Sequence, residues 1–323
     1  ARRDVADRCR FGVDRDPMAV EMAKLSLWLT TLSRERPFTF VDHAIRPGDS
    51  LLGISSLEQL YGFDLDAERG RQKNGDLFAD LTSNIKPMVD AALEARSQLE
   101  RSPARTVRDV ERKAQLNARA AVGLREAYII ADLIVGAALA SDGINSKHEA
   151  LLLTQIDKLA SALKLNGSSR EDAFAELSEQ AIALLNAGRP SGAPPRNPLH
   201  WPLAFPEVMG AGGFSAVVGN PPYLGGRRIS GANGSDYRNF LVRWVGNDRR
   251  GSADLVVYFL LLASRVSASL GILATTSVYQ GESRPVGLGY LTQSGWTVSR
   301  ALRSIPWPGS ASVVVAVVWM TRH

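Results

Sequence analysis

Two consecutive prolines cannot continue a strand, and in this chain they stop one next to polar side chains. The apolar stretch 214–218 reads as a buried strand and runs into Gly219-Asn220-Pro221-Pro222-Tyr223. Neither proline can donate to a sheet ladder, and each has φ locked near −65°. The chain must therefore leave the sheet at Asn220 and form a stiff loop that ends in an aromatic ring. Asn and Pro are also ordinary turn residues, so the run by itself equally describes a tight strand-to-loop connection.

The same texture opens the chain. Residues 9–13 read as a strand and Asp14-Arg15-Asp16-Pro17 as a turn, with Asp16 as N-cap and Pro17 in the first turn of a helix over 18–32. Val20, Ala23, Leu27 and Trp28 recur at helical spacing. A second strand is expected over 38–45, ending at Pro47-Gly48-Asp49-Ser50. This is half of a parallel α/β unit. From 55 to 185 the composition turns helical, with amphipathic helices expected over 84–98, 106–141, 147–165 and 169–185. Glu171 three residues after Ser168 marks Ser168 as an N-cap. Met88 and Tyr128 read as packing residues. A Pro/Gly-rich connector spans 188–206, and His200 within it has no second histidine at metal-ligand spacing, so a structural role is expected. The α/β texture then returns: a helix over 255–268, a strand over 271–276, a weaker one over 296–298, and a β-branched run over 310–319. The expected divisions are 1–54, 55–195 and 196–323.

With 323 residues, 45% of them apolar, the chain can build a full core. The one cysteine, Cys9, excludes an internal disulfide framework and a cysteine-cluster metal site, and no metal is expected. The longest apolar runs, 255–263 and 311–320, are too short to span a bilayer, and Ala1-Arg2-Arg3-Asp4 is no signal peptide. A soluble, cytoplasmic protein with no membrane partner is expected. The net charge of +5 is compatible with a polyanion, and arginines gather after the proline loop at Arg227, Arg228, Arg238, Arg243, Arg249 and Arg250. Those arginines equally describe a solvated surface.

A strand that ends in Asn-Pro-Pro-Tyr resembles the catalytic loop of amino-methyltransferases. An exocyclic amine is a poor nucleophile because its lone pair is delocalised into the ring. Two acceptors aimed at its two N–H bonds, the Asn220 side-chain oxygen and the Pro221 carbonyl, would favour a tetrahedral nitrogen. Pro222 holds the turn, and the Tyr223 ring offers a face for a base flipped from the duplex. No cysteine lies near the loop, which argues against attack on cytosine C5.

The resemblance extends along the chain. Phe11-Gly12-Val13-Asp14-Arg15-Asp16-Pro17-Met18, Gly48-Asp49-Ser50-Leu51-Leu52-Gly53, Ser252-Ala253-Asp254-Leu255 with Tyr258-Phe259, Ser277-Val278-Tyr279-Gln280-Gly281 and Trp307-Pro308-Gly309 match, in order and spacing, the methyltransferase region of large restriction-modification and phage-defence DNA adenine-N6 methyltransferases of the Type IIG kind. The resemblance implies an α/β, Rossmann-like class I fold of roughly seven strands with a large helical insertion. It implies S-adenosyl-L-methionine as cofactor, with Asp14 on the ribose hydroxyls, Met18 near the adenine and Asp49 on the adenine amino group. Arg227 and Arg228 are expected on phosphates of double-stranded DNA, and Tyr237 and Gln280 on the substrate side.

Two departures stand out. The family's acidic-Pro-x-x-Gly-x-Gly loop and the first strand before it are missing from these 323 residues, and no target-recognition domain is recognisable. The chain is therefore expected to be a fragment with an upstream cofactor-loop segment and a downstream recognition domain as partners, inactive as isolated. The alternatives are a cytosine-N4, RNA or protein-glutamine amino-methyltransferase, or a non-catalytic DNA-binding scaffold. A nicotinamide-dependent dehydrogenase fits poorly, since no glycine fingerprint is present.

Overall fold

The computed structural model describes all residues except 1–4, 7, 8, 32–36, 38, 39, 103, 105, 250, 308–312 and 323. The chain falls into two compact units, 1–137 with 149–185 and 196–211, and 138–148 with 186–195 and 212–323. Both carry parallel strands, and the fold is mixed α/β with extensive helix.

In the first unit, β1 (Gly12–Asp14) and α1 (Pro17–Thr30) lead to β2 (Ile45–Pro47), which pairs with β1 in parallel, Gly12 opposite Ile45 and Asp14 opposite Pro47. Asp16 caps α1 as expected: its Oδ1 accepts the Met18 N–H at 2.9 Å, with Pro17 in the first turn. The second strand comes later than expected. The Ala44 and Ile45 N–H groups both donate to the Val41 carbonyl, so this stretch is a turn that tucks Val41 against Val20 and Ile45. Positions 38 and 39 lie outside the described residues. The other face of α1 is open: Met18, Met22, Leu25 and Leu29 are each more than half exposed.

The chain is then helical: α2 (Leu57–Tyr61), α3 (Ala67–Lys73), α4 (Gly75–Arg101), α5 (Val107–Gly123), α6 (Arg125–Ala140), α7 (Asn145–Leu163) and α8 (Gly167–Asn186). The helix expected over 106–141 is two helices. A capping box of Thr106 and Asp109 starts α5, and its amphipathic sequence serves one face only. In contrast α6 is apolar on nearly every side and buries Ile130, Leu133, Ile134 and Val135 completely. One straight rod cannot satisfy both patterns, and the break falls at Leu124. Ser168 is not a cap, because α8 already begins at Gly167, whose φ of +59° turns the chain into the helix. Two short helices follow, α9 (Trp201–Ala204) and α10 (Pro206–Gly210).

His43 in this unit is 2% exposed, stacks on Phe40 at 5.6 Å, and has a buried Nδ1 with no hydrogen-bond partner among the described residues. Burial, reinforced by the charges of Arg96, Lys113 and Arg46, pushes its imidazole down to about 3. The folded state therefore stays neutral while the unfolded chain takes up a proton below its ordinary value near 6.5. The contribution to stability is complete above pH 6.5 and is lost as the pH falls towards 3, amounting to roughly 4 kcal/mol at the acid end. His43→Gln should flatten the dependence of urea-unfolding stability on pH between about 6 and 4; a slope identical to wild type would remove His43 as its source.

The second unit holds β3 (Val217–Gly219), α11 (Gly226–Asn233), α12 (Ser235–Phe240), α13 (Leu255–Val266), β4 (Ser269–Ala274), α14 (Tyr290–Gln293), β5 (Trp296–Pro306) and β6 (Val314–Arg322). The sheet order is β3-β4-β6-β5, with β3 parallel to β4 and β6 antiparallel to both its neighbours. The weak strand expected over 296–298 is the start of an 11-residue strand. Its Arg- and Ser-rich sequence lacks alternation, and the pairing with β6 makes it a strand. The valine-rich run forms β6 from Val314 on; its first residues and the Pro308-Gly309 turn lie outside the described residues. No helix among the described residues is long and apolar enough to cross a membrane.

Candidate active site

In the second unit the proline loop leaves the carboxyl end of β3, one residue beyond the Gly219–Ile272 pair with β4. Pro221 is buried and anchors the loop, whereas Asn220, Pro222 and Tyr223 are exposed. The Tyr223 hydroxyl donates to Asn220 Oδ1 at 2.5 Å, so the two polar tips of the tetrapeptide hold each other. Burial, and then the charge of Asp254, raises the Tyr223 hydroxyl above its ordinary value, which keeps it protonated as a donor through neutral and mildly alkaline pH.

A residue that the sequence shows only as part of the Ser252-Ala253-Asp254-Leu255 motif fixes this loop. Asp254, 8% exposed, accepts the Leu224 N–H and the Val256 N–H on Oδ1, both at 3.2 Å. The first bond holds the residue after Tyr223; the second caps α13. Ser277 Oγ donates to Asp254 Oδ2 at 3.3 Å, and the Leu255 N–H returns a bond to the Leu224 carbonyl at 2.9 Å. Asp254 thus joins three segments: the catalytic-type loop, α13 and the chain after β4. Gly226 seals the junction, since a Cβ there would lie 2.4 Å from the Ser252 carbonyl carbon. Asp254→Ala is expected to cost about 1–2 kcal/mol through the lost cap and the orphaned N–H groups, and Asp254→Asn, which keeps an acceptor, much less. Urea denaturation measures both; equal losses would contradict the capping account.

Arg227 and Arg228 lie exposed in the first turn of α11, and neither forms an ion pair among the described residues. Of the other four arginines of the cluster, Arg243 stacks over Trp244 at 4.6 Å and Arg249 over Tyr290 at 3.4 Å, Arg238 is half-buried in α12, and Arg250 lies outside the described residues. Gln280 is exposed just after the carboxyl end of β4. Tyr237 does not meet its expectation. It is 3% exposed in α12, beside the buried Asp236, so its ring is packed in the core and offers no face to a substrate.

The first unit brings together Asp14 and Asp49. Asp14 ends β1, and the Gly48 N–H donates to its carbonyl at 2.9 Å, so both acids lie at the carboxyl end of one parallel pair. That end of a parallel sheet is where ligands bind in open α/β folds. Asp14 is exposed; its Oδ1 accepts the Asp16 N–H at 2.8 Å, and Oδ2 has no partner among the described residues. Asp49 is 6% exposed, with Oδ1 accepting the Leu51 N–H at 3.1 Å. Met18 is 67% exposed. His200 is structural, as expected: it is fully buried, Nδ1 accepts the Ile54 N–H at 3.3 Å, and Nε2 must therefore carry the proton that faces Asp132 at 3.0 Å. No cluster of metal-binding side chains occurs among the described residues.

The chain has a counterpart among known families. The model of the Eco57I restriction-modification methylase family matches residues 8–280. The chain belongs to that family. A protein of Methanocaldococcus jannaschii named "Putative type II restriction enzyme and methyltransferase" is 25% identical over 233 residues, which are 66% of this chain and 18% of that protein. The chain thus spans under a fifth of that relative's length. No solved structure gives a significant match. Eco57I-family methylases depend on S-adenosylmethionine, which makes it the cofactor of this chain. The donor set fits the nucleoside part of that molecule. Asp14 has a free carboxylate oxygen for a diol, and Met18 is open beside it in sequence.

Proposed function

We propose that this chain is the catalytic part of a site-specific DNA adenine-N6 methyltransferase. The observation that carries the reading is the Asn220–Tyr223 loop, with Asn220 and Tyr223 exposed at a strand end and bonded to each other, stiffened by two prolines and clamped by Asp254 through Leu224. Asn220 Oδ1 and the Pro221 carbonyl accept the two N–H bonds of the flipped adenine amine and draw the nitrogen towards tetrahedral geometry. Asn220 Oδ1 has two lone pairs, so the Tyr223 hydroxyl can stay bound to it and hold its orientation. The Tyr223 ring stacks on the base, and Pro222 keeps ring and acceptor at a fixed spacing. When bound, S-adenosylmethionine supplies the electrophilic methyl group. Asp14 holds its ribose hydroxyls, and Asp49 and Met18 its adenine. The proton released from the amine passes to solvent, since the acceptors are an amide and a carbonyl. Arg227 and Arg228 hold phosphates beside the flipped nucleotide.

The sequence holds no acidic-Pro-x-x-Gly-x-Gly run. The proposed activity needs such a loop to be supplied by a segment other than these residues. Saturable transfer of labelled methyl from S-adenosylmethionine into unmethylated DNA by a protein extended upstream, and little or none by the 323-residue chain, is the expected result. Transfer into RNA or protein instead would keep the amine chemistry and change the acceptor. Failure of the extended protein to bind the cofactor would favour a non-catalytic scaffold. Arg227→Gln with Arg228→Gln should weaken DNA binding evenly across sequences and lower the salt dependence on duplex DNA by about 1.8 in log–log slope; unchanged binding would refute their assignment.

A further inference from the structure

A cleft of about 380 Å³ lies within the second unit, between the Pro285–Gly289 turn with α14 and the β5–β6 face, and none of the residues assigned above lines it. Its wall is aliphatic, from Leu288, Val298 and Val318, and its polar groups include Tyr279 and two arginines, Arg284 and Arg303. No carboxylate lines it. Both arginines are exposed, and neither has an ion pair among the described residues. The placement of Arg303 is built into the strand. The register between β5 and β6 slips between Leu302 and Ile305, and Ser304 there takes a φ of +54°, a conformation that a non-glycine residue adopts at a cost. Such a bulge re-aims a side chain. Here the Arg303 guanidinium sits over the Tyr279 ring at 4.8 Å, and the Tyr279 hydroxyl is within 3.1 Å of Ser304 Oγ. A stacked guanidinium spends its face on the ring and keeps its N–H fork for an anion.

An apolar slot with an aromatic side, two unpaired guanidiniums and no acid suits a planar, weakly polar body that carries a phosphate. We propose that this cleft binds one nucleotide of the DNA strand outside the reacting base, its phosphate on Arg284 and Arg303 and its base against Tyr279 and the aliphatic wall. The inference rests on the reading of the chain as a DNA enzyme and adds to it a second nucleotide site. The site is linked to the first through a short chain of contacts. Tyr279 ends the turn Thr276–Tyr279, whose Ser277 bonds Asp254, which holds Leu224 behind the proline loop.

The test is fluorescence anisotropy of the 323-residue chain with a short fluorescein-labelled duplex and with its single strand, across a salt series. Arg284→Gln with Arg303→Gln should weaken binding about tenfold and lower the log–log salt slope by about 1.5, two phosphate contacts' worth. Arg300→Gln is the control: Arg300 stands on the opposite face of β5, over Trp319 at 5.3 Å, and its loss should change neither. Arg303→Lys, which keeps the charge and loses the fork, should fall between. Circular dichroism and melting temperature should be unchanged in all of them, since the side chains are exposed. Free dAMP should displace the single strand from wild type at high concentration and not from the double variant. Three outcomes overturn the proposal. If the double variant binds as wild type while the Arg227/Arg228 pair still matters, the cleft does not touch DNA and the functional reading survives. If dAMP depends on Arg284 and Arg303 but DNA does not, the cleft serves a free nucleotide. If wild type binds no DNA, this inference falls, and the functional reading then rests on the upstream-extended protein alone.

Discussion

Replacing Asn220 by alanine is expected to lower methyl transfer by about two to three orders of magnitude, the usual cost of removing one acceptor or donor aimed at a developing charge. The loss should lie in kcat, with cofactor affinity unchanged, because Asp14, Met18 and Asp49 are untouched. Three further variants separate the roles within the loop. Asn220→Asp keeps an oxygen acceptor at the same place and should retain more activity than the alanine form. Tyr223→Phe keeps the stacking ring and removes only the hydroxyl that steadies Asn220 Oδ1, so a loss of about tenfold is expected. Tyr223→Ala removes the ring too and should add a rise in KM for DNA, since base stacking is worth about 1–3 kcal/mol. Single-turnover and steady-state kinetics of the upstream-extended protein separate these terms. A kcat for Asn220→Ala within a few fold of wild type would mean that the loop is only a turn.

The second large effect is on folding. Gly53 has a φ of +140°, and a Cβ built there would lie 2.1 Å from the Leu199 carbonyl oxygen. The Leu199 carbonyl carbon and the His200 nitrogen lie close as well, and all three atoms are backbone, so no side-chain rearrangement relieves the clash. The Gly48–Gly53 turn is laid directly on the 197–200 segment: the Asp49 N–H donates to the Asn197 carbonyl at 2.7 Å, and the Leu199 N–H to the Leu52 carbonyl at 2.8 Å. Gly53→Ala must push the two apart. It is expected to destabilise the chain by about 3 kcal/mol or more and to displace Asp49 with the turn. Gly48→Ala meets Leu199 Cβ at 3.1 Å and Cδ1 at 3.2 Å, a much smaller overlap with no positive φ to strain, and should cost about 1 kcal/mol. Urea denaturation gives both values, and a Gly53→Ala loss below that of Gly48→Ala would contradict the close seating of the turn.

What was legible in the sequence was local. Asp16-Pro17 announces a helix start because capping and a locked φ need only adjacent residues, and Asn220-Pro221-Pro222 announces a strand end for the same reason. The carboxyl ends of β1 and β3 were therefore placed correctly to within a few residues. The less legible features depend on residues far apart. Asp254 stands before an apolar run and so advertises an N-cap, but its bond to Leu224 joins positions thirty residues apart and leaves no local trace. Arg-rich β5 became a strand because β6 pairs with it along its length. Tyr237 was expected on the substrate side, whereas α12 turns it inward. The break at Leu124 follows from which helix has to fill the core, and the helical periodicity of either half does not mark it.

The most direct measurement is nucleoside mass spectrometry of unmethylated DNA incubated with S-adenosylmethionine and the upstream-extended protein, beside its Asn220→Ala form. The account predicts new N6-methyladenine with wild type that disappears with the variant. Methylated adenine that persists undiminished in Asn220→Ala, or no methylated base at all from folded protein that binds the cofactor, would contradict it.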